Sequence, residues 1–303
     1  MKKTVLIFGI TSFVGSNFAE VLSEKFHVVG TYHNKEQSLP SHYSMLYCNV
    51  LNKDEVKRAI KFFKPDYVIY AVGVSSLEEA KMHSKEAEAL NSTGAINCLN
   101  VTERFGALFI YLSSAFVLSG DNKLFKESDT PFPSTNYGSS VANAEFLIQK
   151  TSLHYLILRC PVLYGRSYSV RRSNIFELIQ QSVFEQKVLK LDDQVQLGFL
   201  DVQLIARFLI VLLEKRIVNR LLQISSKDHL TTYQFAKKYS QVFNTSSTTF
   251  ETKTGGFPQE SKAGTNLSFK MDVTNTESRI GIKMPTIQES LEFSYKRFSA
   301  KNS

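Results

Sequence analysis

Thr4-Val-Leu-Ile-Phe-Gly9-Ile10-Thr11-Ser12-Phe13-Val14-Gly15 is the stretch on which the reading of this sequence turns. The apolar run Thr4–Gly9 is the mark of a strand buried on both faces. Helical spacing of Phe18, Val21 and Leu22 follows, over Ser16–Lys25. Between the two, Gly9 and Gly15 let the backbone turn tightly and let the helix sit close to the strand. The helix N-terminus there offers free N–H groups and a partial positive charge, which suits a pyrophosphate. The middle glycine of the dinucleotide fingerprint is here Ser12. The pattern carries information through its place, directly after the first strand and opening the first helix. A tight strand–helix turn with no ligand is the plain alternative.

Outward from this turn, strand-like and helix-like stretches alternate. His27–Tyr32 reads as a second strand, Asp54–Phe63 as a helix ending before Pro65, and Tyr67–Val72 as a strand. Leu77–Phe105 reads as mostly helical with Gly94 interrupting it. Ala107–Leu112 is a strand, Tyr137–Thr151 a helix and Tyr155–Arg159 a strand. Strands alternating with helices of ten or more residues imply right-handed crossovers and a parallel sheet, an α/β fold. After about residue 163 the pattern loosens. Asn174–Gln186, the strongly apolar Leu204–Glu214, Thr232–Phe243 and Ile287–Phe298 read as helices, and residues 244–268 as a loop.

The end of the second strand bears on which dinucleotide would fit. An acid there would accept hydrogen bonds from the adenosine ribose and repel a 2′-phosphate. Here Thr31-Tyr32-His33-Asn34-Lys35 holds no acid before Glu36. His33 and Lys35 are partners for a 2′-phosphate, so NADP(H) is preferred and NAD(H) stays open; both residues as solvated loop positions is the alternative.

The 303 residues are 43% hydrophobic and 21% charged, which excludes wholesale disorder. No apolar run approaches the roughly 20 residues that span a bilayer. Met1-Lys2-Lys3 has the start of a leader, but Gly9, Thr11, Ser12 and Gly15 break the apolar stretch and a polar helix follows. Cys48, Cys98 and Cys160 lie far apart without a CxxC pair, so a reducing cytoplasm is expected. The six histidines show no metal-ligand spacing. The net charge of +8 sits wholly in the second half: residues 1–150 hold 15 basic and 15 acidic side chains, residues 151–303 hold 21 and 13. This suits an anionic small molecule or a diffuse solvated surface better than nucleic acid, for which there is no dense basic block and no motif.

Several segments, in order, resemble one family. They are Lys64–Ala71, Ala89-Leu-Asn91-Ser-Thr-Gly94-Ala95, Leu112-Ser113-Ser114-Ala115-Phe-Val-Leu-Ser-Gly120, Asn136-Tyr137-Gly138, Ala144-Glu145, Leu158–Gly165, Asp193-Gln194 and Phe199–Ala206. From about residue 4 to residue 295 the chain is similar to extended short-chain dehydrogenase/reductases of the NAD-dependent epimerase/dehydratase superfamily. Within these it is most similar to the dTDP-4-dehydrorhamnose reductases and the related regulatory subunit of methionine adenosyltransferase. The resemblance implies a Rossmann-like doubly wound parallel sheet with a smaller, interwoven C-terminal substrate domain. Residues 1–163 would bind the dinucleotide, with 198–222 returning to them; 164–197 and 223–303 would bind substrate. It implies hydride transfer between a nicotinamide and a sugar carbon. Tyr137 would give or take the proton, Ser114 (or its neighbour Ser113) would hydrogen-bond the carbonyl oxygen, and Asn91 would support the relay helix. Gly9, Thr11, Ser12, Phe13, Val14 and Gly15 would line the pyrophosphate. Thr31, His33, Lys35, Asn49 and Val50 would surround the adenosine half, and Ala71, Val72, Gly73 and Tyr137 the other ribose. Arg171, Arg172 and Asn174 are the candidates for a sugar diphosphate.

Two positions depart from the family pattern. The lysine expected four residues after Tyr137 is Val141, and Ala115 stands where these reductases usually carry Asp. Residues i and i+4 share a helix face, so that lysine would sit beside the phenol and lower its pKa. Lys150 is roughly 20 Å further along the helix and cannot replace it. The expected activity is therefore an atypical NADP(H)-dependent reductase of a 4-keto nucleotide sugar. A nucleotide-sugar epimerase, or a catalytically weak or inactive dinucleotide-binding subunit that regulates a partner, remains the alternative. A homodimer is equally open.

Overall fold

In strand β1 (Thr4–Phe8) successive side chains leave opposite faces. Val5 and Ile7 join one apolar layer, Leu6 and Phe8 another, and all four are fully buried. Such a strand needs cover on both sides, and the rest of the chain supplies it. The protein, seen in a computed structural model, is described over residues 2–34, 42–167, 173–253 and 267–302.

The chain continues through α1 (Phe13–Leu22), β2 (His27–Tyr32), β3 (Ser44–Tyr47), α2 (Lys53–Phe63) and β4 (Tyr67–Tyr70). Then come α3 (Leu77–Met82), α4 (Ser84–Glu88), a π-turn over Ala89–Thr93 and α5 (Gly94–Arg104). They lead to β5 (Leu108–Ser114), β6 (Leu124–Phe125), α6 (Asn136–Thr151), β7 (Tyr155–Cys160) and β8 (Val162–Tyr164). The remainder is α7 (Ile175–Glu185), β9 (Leu189–Asp192), β10 (Phe199–Asp201), α8 (Val202–Glu214), β11 (Arg220–Gln223), α9 (Thr232–Phe243), β12 (Phe250–Lys253), β13 (Lys270–Met271), α10 (Thr274–Ile280) and α11 (Ile287–Asn302).

Seven parallel strands form the central sheet in the order β11-β7-β5-β4-β1-β2-β3. Helices α2, α5 and α6 pack on the face of Leu6 and Phe8; α1 and α8 pack on that of Val5 and Ile7. The sheet is thus doubly wound. Its order reverses between β1 and β4, the topological switch point where open α/β sheets leave a crevice at their C-terminal edge. Three two-stranded parallel pairs, β8–β10, β9–β12 and β6–β13, stitch the later segments together.

Local chemistry corrects several boundaries. Helix α1 starts at Phe13 rather than Ser16 because Ser12 caps it, its Oγ accepting the Gly15 N–H at 3.0 Å. The helical stretch 77–105 breaks at His83 (φ −124°) and in the π-turn, not at Gly94, which is helical. Gly94 is required by crowding: a Cβ there would lie 2.5 Å from the Tyr70 Oη and 2.8 Å from a Val50 methyl. The polar segment 244–268 contains strand β12, and its residues 254–266 lie outside the described residues.

Helix α11 is pinned to the sheet side by buried polar contacts. Asp201, fully buried at the start of α8, accepts from Arg297 Nη2 at 2.7 Å and Ser294 Oγ at 2.5 Å. Burial pushes its carboxyl up, against the pull of Arg297. Tyr164 Oη and the Asp201 N–H both donate to Ser290 Oγ, at 2.7 and 3.0 Å.

His229, in the segment joining β11 to α9, has an imidazole held down to about 4 by burial and by Lys270. Its ordinary value is about 6.5, so between these two pH values the unfolded chain takes up a proton that the folded protein refuses. Stability falls as pH drops through that window. Thermal melts of wild type and His229→Gln from about pH 7 to about pH 4.5 test this: the acid-induced loss of Tm should be smaller in the variant, and equal losses would remove His229 from the account.

Candidate active site

The site is built at the C-terminal edge of β1, β4, β5 and β7. After β1 the chain reverses at Gly9 (φ +78°), where a Cβ would lie 2.8 Å from the Ala71 carbonyl oxygen. A Cβ on Gly15 would approach the Gly9 carbonyl oxygen to 2.2 Å. The Thr31 carbonyl at the end of β2 accepts the N–H groups of Gly9 and Ile10, at 3.2 and 3.0 Å. The turn therefore admits no side chain where helix crosses strand. In the first helical turn the N–H groups of Phe13 and Val14 have no intrahelical carbonyl within reach, and both residues line the cleft with Ser12.

Opposite this turn runs Ala71–Ser75, after β4. Asn91 holds it: Oδ1 accepts the Val74 N–H at 2.9 Å, and Nδ2 donates to the Val74 carbonyl at 3.0 Å. Gly73 is needed for this approach, since a Cβ there would lie 2.2 Å from Asn91 Oδ1. Asn91 Nδ2 also donates to Ser140 Oγ on α6 at 2.9 Å. Asn91 stands in the π-turn, two of whose carbonyls accept tyrosine hydroxyls. The Leu90 carbonyl accepts Tyr70 Oη at 2.5 Å, and the Asn91 carbonyl accepts Tyr111 Oη at 2.9 Å.

Tyr137 opens α6, capped by Thr135, whose Oγ accepts the Gly138 N–H at 3.0 Å. A Cβ on Gly138 would lie 2.0 Å from the Phe116 carbonyl oxygen, so the helix start rests directly on the turn after β5. This brings Tyr137 beside Ser114. Burial pushes the Tyr137 phenol up to about 12, with a hydrogen bond from Ser114 opposing. Val141, one turn on, is 3% exposed and fills the cleft wall. Ser113 is engaged elsewhere: its hydroxyl donates to Glu145, which is bound by Arg159 through Nε at 2.9 Å and Nη2 at 2.8 Å. Cys160, at the end of β7, has a thiol pushed to about 12 by burial.

Together these elements enclose a cleft of about 320 Å³. It brings together Ser12, Phe13, Val14, Ala71, Val72, Gly73, Asn91, Ser113, Ser114, Tyr137 and Asn174. Among its described lining residues no side chain is charged. Gly9, Thr11 and Gly15 shape the turn behind the lining. Thr31, Asn49 and Val50 are not among the residues that line the cleft. The Asn49 N–H donates to Glu55 Oε2 at 2.7 Å and its Oδ1 accepts from Leu51; Val50 is buried against Gly94. His33 is exposed and stacks on Tyr47 with ring centroids 5.5 Å apart. Asn174 caps α7 and donates from Nδ2 to the Gly165 carbonyl at 2.7 Å, so much of its bonding capacity is spent locally. Lys35, Arg171 and Arg172 lie outside the described residues. Lining residues absent from the sequence reading of the site include Tyr70, Tyr111, Val74 and Ser75. For Tyr70, Val74 and Ser75 the signal was their place at or just beyond the end of β4, whereas Tyr111 is mid-strand in β5. No group of described residues has the make-up of a metal site, and no described helix is long and apolar enough to cross a membrane.

Comparison with known proteins adds the following. The family model described as RmlD substrate binding domain matches residues 1–300. The beta subunit of methionine adenosyltransferase 2 from Bos taurus is 26% identical over 247 residues, 80% of this chain and 72% of that protein. A protein named as a probable low-salt glycan biosynthesis reductase from Haloferax volcanii is 24% identical over 294 residues, 93% of this chain and 94% of that protein. The structure of dTDP-4-dehydrorhamnose reductase from Bacillus anthracis, in complex with NADP, is similar with a TM-score of 0.84 at 18% identity, covering 98% of this chain and 100% of that one. UDP-glucose 4-epimerase from Thermotoga maritima, with UDP-glucose, gives a TM-score of 0.82 at 17% identity, covering 99% and 100%.

The crowding at the first turn gives a direct test. Gly15→Ala forces a methyl group against the Gly9 carbonyl and should cost about 1–3 kcal/mol, the usual cost of overpacking. Denaturant melts check it; an unchanged midpoint would mean that the turn yields without penalty.

Proposed function

The chain belongs to the RmlD substrate binding domain family, and from that premise we propose that it is an NADP(H)-dependent reductase of a 4-keto nucleotide sugar. The observation that carries the reading is the Ser114–Tyr137 pair, which lines the same uncharged cleft as Ser12, Phe13 and Val14 of the glycine turn. The turn fits a dinucleotide: its crossing excludes any Cβ, and its helix start presents N–H groups to a phosphate. Gly9, Thr11, Ser12, Phe13, Val14 and Gly15 would hold the pyrophosphate. Thr31, His33, Lys35, Asn49 and Val50 would surround the adenosine half, and Ala71, Val72, Gly73 and Tyr137 the nicotinamide ribose. NADP(H) is preferred over NAD(H) because His33 and Lys35, rather than an acid, follow β2. The glycine-turn half, 1–163 with 198–222, would carry the dinucleotide. Residues 164–197 and 223–303 would carry the nucleotide sugar, with Arg171, Arg172 and Asn174 toward its phosphates. The compartment expected is the cytoplasm.

When bound, the nicotinamide supplies the hydride. Tyr137 supplies the proton: as the carbonyl carbon accepts the hydride, its oxygen takes the phenolic proton, and solvent then restores the phenol. Ser114 hydrogen-bonds the same oxygen and the phenol. With the phenol at about 12, reduction starts from a form present throughout the neutral range. Oxidation starts from the phenolate, which burial disfavours at neutral pH. An epimerase, which must oxidise first, therefore fits this site less well than a reductase. A second reading has its own observation. Val141 removes the ammonium that would anchor the ribose and assist the phenol, and this favours a dinucleotide-binding subunit with little or no chemistry.

NADPH oxidation with dTDP-4-keto-6-deoxy sugars separates the two. A reductase shows slow wild-type turnover that Tyr137→Phe abolishes. Val141→Lys should raise kcat on the order of tenfold to a hundredfold, within the usual range for acid–base assistance. Any oxidation rate should climb with pH without a plateau below about 12, and Val141→Lys should bring the plateau down. NADPH binding without wild-type turnover, with activity gained in Val141→Lys, would establish the subunit reading instead.

A further inference from the structure

We infer that Glu145 is a positioning residue for the Ser114–Tyr137 pair, acting through Ser113. The carboxylate is fully buried and Arg159 is 1% exposed. Three donors converge on it: Arg159 Nε at 2.9 Å, Arg159 Nη2 at 2.8 Å and the Ser113 hydroxyl. Ser113 Oγ in turn accepts the Ser114 N–H at 2.6 Å. An unbroken path thus runs from a buried guanidinium to the backbone of Ser114, whose side chain lines the same cleft as Tyr137. It joins the three elements that present the site, because Glu145 is on α6 with Tyr137, Ser113 and Ser114 end β5, and Arg159 precedes Cys160 on β7.

Burying two charges costs free energy even when they are well paired, so packing alone is a poor reason for the arrangement. Its geometric effect is specific. Ser113 and Ser114 leave opposite sides of the strand, and fixing the first by a charge-assisted bond fixes the rotation of the second. With Val141 in place of an ammonium, the lower end of the Ser114–Tyr137 contact is set by this brace. Ser113 is accordingly spent on Glu145 and is not a second proton donor to substrate.

The test uses Ser113→Ala, which keeps the Glu145–Arg159 pair, and Ser113→Thr, which keeps the hydroxyl. In protein labelled with 13C at the tyrosine ζ-carbon, the Tyr137 signal, assigned through Tyr137→Phe, reports its hydrogen bond. Ser113→Ala should move that signal toward its position in Ser114→Ala, and Ser113→Thr should restore it. The kinetic arm rests on the reductase reading: kcat should fall about tenfold in Ser113→Ala with the KM for NADPH within about twofold. A merely structural brace would lower Tm in Ser113→Ala while leaving the Tyr137 signal at its wild-type position, and that result would overturn the inference. Absence of wild-type turnover would count against the reductase reading alone, since the spectroscopic arm still decides the positioning role.

Discussion

The crossing of α1 over the end of β1 leaves 2.2 Å between the Gly9 carbonyl oxygen and the place where a Cβ of Gly15 would stand. Everything at the C-terminal edge of the sheet is set out from that contact. It fixes how closely α1 lies on the sheet, and hence where α8 can pack on the same face. Gln203 of α8 reaches back to α1, donating to Glu20 Oε2 at 2.8 Å. Asn17 of α1 donates to the Arg166 carbonyl at 2.9 Å and so anchors the chain leaving β8. One steric limit in the first fifteen residues thereby places segments more than 140 positions away.

The electrostatics of the cleft follow from what its walls do with charge. The buried ion pair of Glu145 with Arg159 is joined through two hydrogen bonds, and neither charge is among the causes that shift the Tyr137 phenol. Burial then dominates: it pushes the phenol of Tyr137, the thiol of Cys160 and the phenol of Tyr111 upward together. A site of this kind keeps its proton donors protonated and offers no anion at neutral pH. Raised values keep such groups protonated, and they also weaken them as acids.

The alternation of β1, α1, β2 and α2, and the parallel sheet it demands, was legible because each piece carries a strong apolar period. The reading Thr232–Phe243 matches the helix to the residue, and the structure shows its start fixed by a capping box of Thr231 and Gln234. Strands β3 and β11 were not legible. Ser-Met-Leu-Tyr and Arg-Leu-Leu-Gln are four residues long, and they become strands only because β2 and β7 present unpaired edges. The π-turn was hidden for a related reason. Nothing in Ala89–Thr93 breaks a helix; the turn is selected by the Tyr70 and Tyr111 hydroxyls, which arrive from strands twenty residues before and after. Of the site, Ser114, Tyr137 and the glycine turn were visible as motifs. The use of Ser113 by Glu145 was not, because it depends on a partner on β7 that no local spacing relates to either residue.

Loss of the lysine does not dismantle the architecture, and the reason lies in where the holding forces act. Asn91 grips Val74 and Ser140, the π-turn carbonyls grip Tyr70 and Tyr111, and Glu145 grips β5 and β7. None of these contacts passes through position 141. Val141 fills its space as an apolar wall residue, joining the core that includes Ala144 and Ile148 of the same helix. Geometry and proton energetics are therefore carried by different residues in this fold. A valine at 141 keeps the shape of the cleft and brings no charge to the Tyr137 phenol, so a change at this one position can alter proton energetics while the contacts that hold the cleft stay in place.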